Sequence, residues 1–141
     1  MASSRPRPRL YTVEEANALL PEVRDAIERI RSHPARVQEV RDLVEDLEAY
    51  YGEALVGATD AERERHRALK DELSRLLEEV GASLRRLAGL GCEVKDLERG
   101  LVDFYADRGG EIVCLCWERG ESRIAHWHSL EGGFAGRQPL P

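Results

Sequence analysis

The stretch Glu111-Ile-Val-Cys-Leu-Cys-Trp-Glu-Arg-Gly-Glu-Ser-Arg-Ile-Ala-His-Trp-His128 decides the fold. It runs apolar from Ile112 to Trp117, breaks at Glu118-Arg-Gly-Glu121 and resumes from Arg123 to His128. Two β-prone runs on either side of a Gly-bearing separator read as a β-hairpin. Upstream, Leu101-Val-Asp-Phe-Tyr-Ala106 ends at Asp107-Arg-Gly-Gly110 and supplies another strand. The expectation is a three-stranded antiparallel β-meander joined by two-residue or four-residue turns. In that register Phe104, Val113 and His126 form one row, and Asp103, Cys114 and Ala125 form the next. Ala106, Glu111 and His128 form a third row on the Phe104 side. The unbroken apolar central strand calls for cover on both faces. Helices can supply one cover. The tail Gly132-Gly-Phe-Ala-Gly-Arg-Gln-Pro-Leu-Pro141, folding back through Phe134, or a second copy of the chain, can supply the other.

Everything before this stretch reads as helix. Tyr11-Thr-Val-Glu-Glu15 carries a capping box, with Thr12 and Glu15 each satisfying the other's backbone amide. Ala16, Leu19, Leu20, Val23, Ile27 and Ile30 follow at helical period, and Pro21 inside the series predicts a kink. His33-Pro34 breaks the run. Val37, Val40, Val44, Leu47 and Tyr51 then form a heptad seam. Thr59-Asp-Ala-Glu62 is a second capping box. The series His66, Leu69, Leu73, Leu76, Val80, Leu84, Leu87, Leu90 makes a third helix ending at Gly91, about 45 Å long at ~1.5 Å per residue. The fold class is therefore α+β: a long antiparallel helical hairpin of coiled-coil character (three helices, the first kinked at Pro21), then the meander and an irregular tail. Residues 1–10 read as a disordered leader. Residues 11–141 read as a single domain, helical over 11–91 and meander and tail over 92–141.

A chain of 141 residues buries a real core without staples. Its net charge of -6 argues against nucleic-acid binding, which needs a cationic footprint. Only Arg5, Arg7 and Arg9 concentrate positive charge. No run approaches a membrane span and no apolar leader precedes the first helix. Three cysteines, with Cys114 and Cys116 too close along one strand to bridge, fit a reducing, cytoplasmic location with free thiols.

The chemistry concentrates at the end of the sheet. His126 and His128 stand two apart on a strand, so both rings leave the same face and can share a divalent metal such as zinc. Glu111, opposite His128 in the expected register, completes a two-histidine, one-carboxylate set with an open position. The Cys-x-Cys pair reads as core filling. Asp103 is the carboxylate whose burial deserves watching, with tail amides or Arg137 as its expected partners. His33 and His66 read as capping, solvated or seam residues. No nucleophile elbow, phosphate loop or dinucleotide fingerprint is present.

Taken over its whole length the chain resembles an uncharacterised prokaryotic family, domain of unknown function 2203. The resemblance rests on Tyr11-Thr-Val-Glu-Glu-Ala-Asn-Ala-Leu-Leu-Pro21, Val94-Lys-Asp, Gly100-Leu-Val-Asp-Phe104, Leu115-Cys-Trp-Glu-Arg-Gly-Glu121, Trp127-His128 and Gly133-Phe-Ala-Gly-Arg-Gln-Pro139. It implies that Lys95, Asp96, Asp103, Cys116, Glu121, His128 and Arg137 belong to the family's pattern, and it favours His128 acting with carboxylates. It implies no activity.

Two functions stand as expectations. The first is a non-catalytic module that self-associates, as a homodimer, or binds a protein partner. The alternative is a metal- or anion-binding protein, extending to a metalloenzyme, with its site at the His126/His128 end of the sheet.

Overall fold

The computed structural model describes residues 9–141; the expected leader lies outside the described residues except for Arg9 and Leu10. The architecture is α+β. The helices are α1 (Val13–Ser32), α2 (Pro34–Tyr51) and α3 (Asp60–Gly89). The strands are β1 (Cys92–Asp96), β2 (Leu101–Arg108), β3 (Glu111–Glu118), β4 (His126–Ser129) and β5 (Gln138–Pro139), with one 3-10 turn at Phe134–Gly136. The five strands form one antiparallel sheet in chain order.

Both capping boxes are present. Thr12 and Glu15 exchange bonds of 3.0 and 3.1 Å, as do Thr59 and Glu62. The helical part departs from the expected count of three separate helices. α1 and α2 are arms of one bent helix, interrupted only at His33, and Pro21 lies inside α1 without ending it. Pro34 occupies the first turn of α2, where its missing amide leaves no intrahelical bond unmade.

The chain gathers into two compact units, one of residues 28–84 and one of the described residues up to Ile27 with residues 85–141. In the first, α2 and α3 run in opposite directions, as pairs Arg36–Glu72 at 2.6 Å and Glu48–His66 at 2.9 Å require. Val40, Val44 and Leu69 form its buried cluster, with Leu43, Leu47 and Leu73 packed against them. His33 meets Glu79 at 2.9 Å, so both helical histidines face a glutamate carboxylate on this hairpin.

The second unit holds the sheet. Val102, Phe104, Ala106, Val113, Leu115 and Trp117 share one face and are buried. α1 docks there. Tyr11 sets its ring edge-on to Phe104 at 5.4 Å, and Asn17 accepts from the Ile124 amide at 2.8 Å. Burying side chains such as Phe104 and Trp117 contributes about 1.5–3 kcal/mol each. The other face carries Leu101, Asp103, Tyr105, Cys114, Cys116, His126 and His128.

The sheet corrects the expected meander in two ways. It has five strands rather than three: β1 is short, and the two-residue β5 contains Pro139, which only an edge tolerates. The register also differs. β2 and β3 are joined by the two-residue turn Gly109-Gly110, both at positive φ (62° and 89°), which suits a type I′ hairpin. Phe104 therefore pairs with Leu115, two places from expectation, and the face assignment survives. Between β3 and β4 the turn at Glu118–Glu121, closed by a bond of 3.0 Å from the Glu121 amide to the Glu118 carbonyl, does not lead straight into the next strand. Residues 119–125 form an odd-length loop that pairs Cys114 with His128 and Cys116 with His126. The shift is three places, and an odd shift turns both histidines to the face of the cysteines.

The loop's course follows from α1. Arg24 donates to the carbonyls of Glu121 and Ser122 at 3.2 and 2.7 Å, and Ile124, 2% exposed, is bonded to Asn17. Trp117 Nε1 donates to the Glu121 carbonyl at 3.0 Å. These anchors pull residues 121–124 away from a hairpin path.

Candidate functional site

Three neighbouring strands deliver the polar groups of the second face. β2 supplies Asp103, β3 supplies Cys114 and Cys116, and β4 supplies His126 and His128. Asp103 lies across from Cys116, and His128 across from Cys114. The Asp103 carboxylate reaches the histidine along the diagonal: His128 Nε2 and Asp103 Oδ2 are 3.0 Å apart. The pair is almost fully enclosed, with the residues 2% and 3% exposed. One ligating atom each from Asp103, Cys114 and His128 lies within 4.8 Å of the other two.

The second ring nitrogen settles how His128 is oriented. Nδ1 is 2.7 Å from the Ser129 carbonyl oxygen. A carbonyl only accepts, so Nδ1 carries a proton and donates. Nε2 is left to face Asp103, either through a proton shared with the carboxylate or through its lone pair.

The thiols are not activated. Burial, then the Asp103 charge, pushes Cys114 up to about 11 and Cys116 up to about 12. Burial likewise raises Cys92 to about 11, on the other face. A nucleophilic thiol needs the opposite shift. His128 could not serve as its base either, because a carbonyl and a carboxylate already occupy its two nitrogens.

The cluster forms part of the wall of a cavity of about 210 Å3. Leu101, Tyr105 and Cys116 line it from the sheet, Lys95 from β1, and Leu130, Gly133 and Phe134 from the tail. The tail thus covers this face through Phe134, as one of the two expected covers. Arg99 and Arg137 stack their guanidinium groups on the Phe134 ring at 4.2 and 4.8 Å. Lys95 Nζ donates to Glu93 at 2.9 Å, and Tyr105 donates to the same carboxylate at 2.5 Å. That bond, then burial, pushes the Tyr105 phenol up to about 12.

The model for a family described as an uncharacterized conserved protein (DUF2203) matches residues 9–140. The chain belongs to that family. No curated protein and no solved structure matches it. Family membership brings no activity with it, so the chemistry rests on the geometry. No helix among the described residues is long and apolar enough to cross a membrane.

The structure distributes the residues singled out in the sequence. Glu111 pairs with Arg108 at the β2–β3 turn, exposed, and is not in a row with His128. His126 is not part of the three-donor set; its Nδ1 stands 3.6 Å from Glu121 Oε2. Glu121 is the hub of a separate group. It accepts from Arg137 at 2.7 and 2.8 Å and from the Glu118 amide at 2.6 Å. Arg137 therefore serves Glu121 rather than Asp103, and it also donates to the Cys116 carbonyl at 3.4 Å. Asp96 accepts from the Arg99 amide at 3.0 Å and holds the β1–β2 turn. Asp103 and His128 come together. The Cys-x-Cys spacing by itself points Cys114 to core filling. The signal that points to it is parity: Cys114, Cys116, His126 and His128 share a face whenever the β3–β4 loop has an odd number of residues.

Proposed function

We propose that this protein binds a divalent transition-metal ion of the zinc class through Asp103, Cys114 and His128, with a remaining coordination position directed at the cavity. The observation that carries this reading is the fixed orientation of His128. Its Nδ1–H is committed to the Ser129 carbonyl, its Nε2 faces the Asp103 carboxylate at 3.0 Å, and the Cys114 thiol completes a set of three donors within 4.8 Å of one another. An outer carbonyl that sets the tautomer is the usual companion of a metal-bound imidazole. Carboxylate, thiolate and imidazole together suit zinc. Two anionic ligands also neutralise the ion, so the buried centre carries no net charge. The ion replaces the proton between Asp103 and His128 and displaces that of Cys114. Three protein ligands with an open position are the arrangement that supports Lewis-acid chemistry.

The other reading, a self-associating or partner-binding module, draws on exposed apolar side chains such as Tyr50, Val56, Leu77 and Leu84. Those features name no partner, and they give the buried Asp103–His128 pair no task.

Elemental analysis of protein purified without an affinity tag tests the metal reading. One zinc-class ion per chain is expected, lost in His128→Ala. Cobalt substitution adds a spectroscopic check. A sulfur-to-cobalt charge-transfer band should disappear in Cys114→Ser and persist in Cys116→Ser. Protein that takes up no stoichiometric metal, or whose band depends on Cys116 instead, overturns the assignment.

A further inference from the structure

The cavity beside the cluster has a size, a polar end and an apolar end, and together they specify a ligand. We propose that it receives a small organic carboxylate, a monoanion with a compact apolar body about the size of a benzene ring. The proposal rests on the metal reading above and extends it to the molecule that shares the site.

Size sets the first limit. An apolar cavity of ~150 Å3 accepts benzene, so about 210 Å3 holds such a ring with one planar polar group attached. A nucleotide does not fit. Leu101, Leu130 and Phe134 form the apolar lining that would hold the body. The two guanidinium groups stacked on Phe134 keep that ring in place.

Charge sets the second limit. Asp103, Cys114 and a divalent ion sum to zero. Among the described residues, Lys95 is the one lysine or arginine in the cavity lining. Its ammonium has three N–H donors, one of which goes to Glu93. Glu93 is ion-paired with Lys95 and also accepts from Tyr105, so Lys95 offers an incoming anion hydrogen-bond donors rather than a surplus charge. Lys95 is 44% exposed and stands at the rim, where its remaining donors can meet an incoming anion. The remaining ammonium donors and one open metal position match the two oxygens of a carboxylate. A phosphate dianion calls for the several donors of an arginine cluster or a helix N-terminus, and this lining has neither.

The test uses the full chain loaded with cobalt, titrated with benzoate and with its neutral counterpart benzamide. The readouts are the visible spectrum of the ion and the heat of binding. Benzoate should perturb the spectrum saturably and bind at least about tenfold more tightly than benzamide. Lys95→Gln should weaken benzoate by about tenfold while leaving cobalt content unchanged. Phe134→Ala should weaken both compounds. A cobalt-loaded protein whose spectrum and heats ignore benzoate overturns the ligand assignment and leaves the metal reading standing. Equal binding of acid and amide, or a Lys95→Gln variant with unchanged affinity, overturns it as well. A chain that fails to take up cobalt at all overturns the metal reading, and this inference falls with it.

Discussion

Replacing His128 by phenylalanine in metal-free protein leaves the Asp103 carboxylate enclosed without its partner. Asp103 is 2% exposed, and its Oδ2 lies 3.0 Å from the imidazole. Removing one member of a buried charged pair costs about 3–5 kcal/mol, most of it the penalty of stranding the other. The reverse change, Asp103→Val, should cost less, about 1–3 kcal/mol. The imidazole can remain neutral and keep its bond to Ser129, so the loss is confined to the imidazole contact and the weak bonds from the Cys114 and Cys116 thiols. The double variant Asp103→Val/His128→Phe strands nothing. It should recover at least ~2 kcal/mol of the His128→Phe loss, because apolar replacements of a buried pair are often close to neutral. Urea unfolding with chelator present measures all four proteins. The intrinsic signal comes from Trp117 and Trp127, both in the sheet unit. Zinc added afterwards should stabilise the wild-type chain by about 2.7 kcal/mol at a hundred times its dissociation constant, and none of the three variants. A His128→Phe cost below about 1 kcal/mol, or a double variant costing the sum of the singles, would refute the reasoning.

Other consequences are testable with simple assays. The three cysteines should resist alkylation in folded, metal-free protein at pH 8 and react at once in denaturant. Their thiols are raised in the fold, so this contribution to stability is present below the ordinary thiol range and is lost as pH rises through about 11 to 12. Fast labelling of the native protein would count against their burial. Thr12→Ala should cost about 1 kcal/mol by removing the first N-cap. The bonds from Thr12 hold Glu15 below the usual carboxylate range. The stabilisation is therefore present above the unfolded value near 4.3 and fades as pH falls through the folded one. The difference between wild type and Glu15→Ala should accordingly shrink between pH 7 and pH 3, because the Thr12 amide bonds the Glu15 carboxylate whatever side chain stands at 12; a difference independent of pH would remove the Glu15 charge from the account. Arg137→Ala should open the tail, since Arg137 joins it to Glu121 with two charge-assisted contacts. A loss of about 1.5–3 kcal/mol is expected, read as faster amide exchange over residues 133–140. Unchanged exchange would show that the short β5 pairing holds the tail without it.

Much of the fold can be read along the chain because it rests on local rules. Thr12–Glu15 and Thr59–Glu62 cap helices through contacts three residues apart. Val40, Val44 and Leu69 are buried where the heptad spacing puts them. The alternation in β2 and the Gly109-Gly110 turn identify a hairpin and fix which β2 side chains accompany which β3 side chains. β1 and β5 escape notice because so few residues carry too little pattern. They become strands only when β2 and β4 present an edge to them.

The candidate site divides along the same line. Sequence alone established that donor groups gather in the last third of the chain, that Cys114 and Cys116 must share one face, and that His126 and His128 must share one. A strand's two-residue period imposes both facts. It did not establish that the two faces are the same one. That depended on the length and path of residues 119–125, and those are held by Arg24 and Asn17 of a helix about a hundred residues away in the chain. Because one residue of register turns every side chain of a strand over, these distant hydrogen bonds decide whether His128 meets Asp103 and Cys114 or faces the opposite side of the sheet.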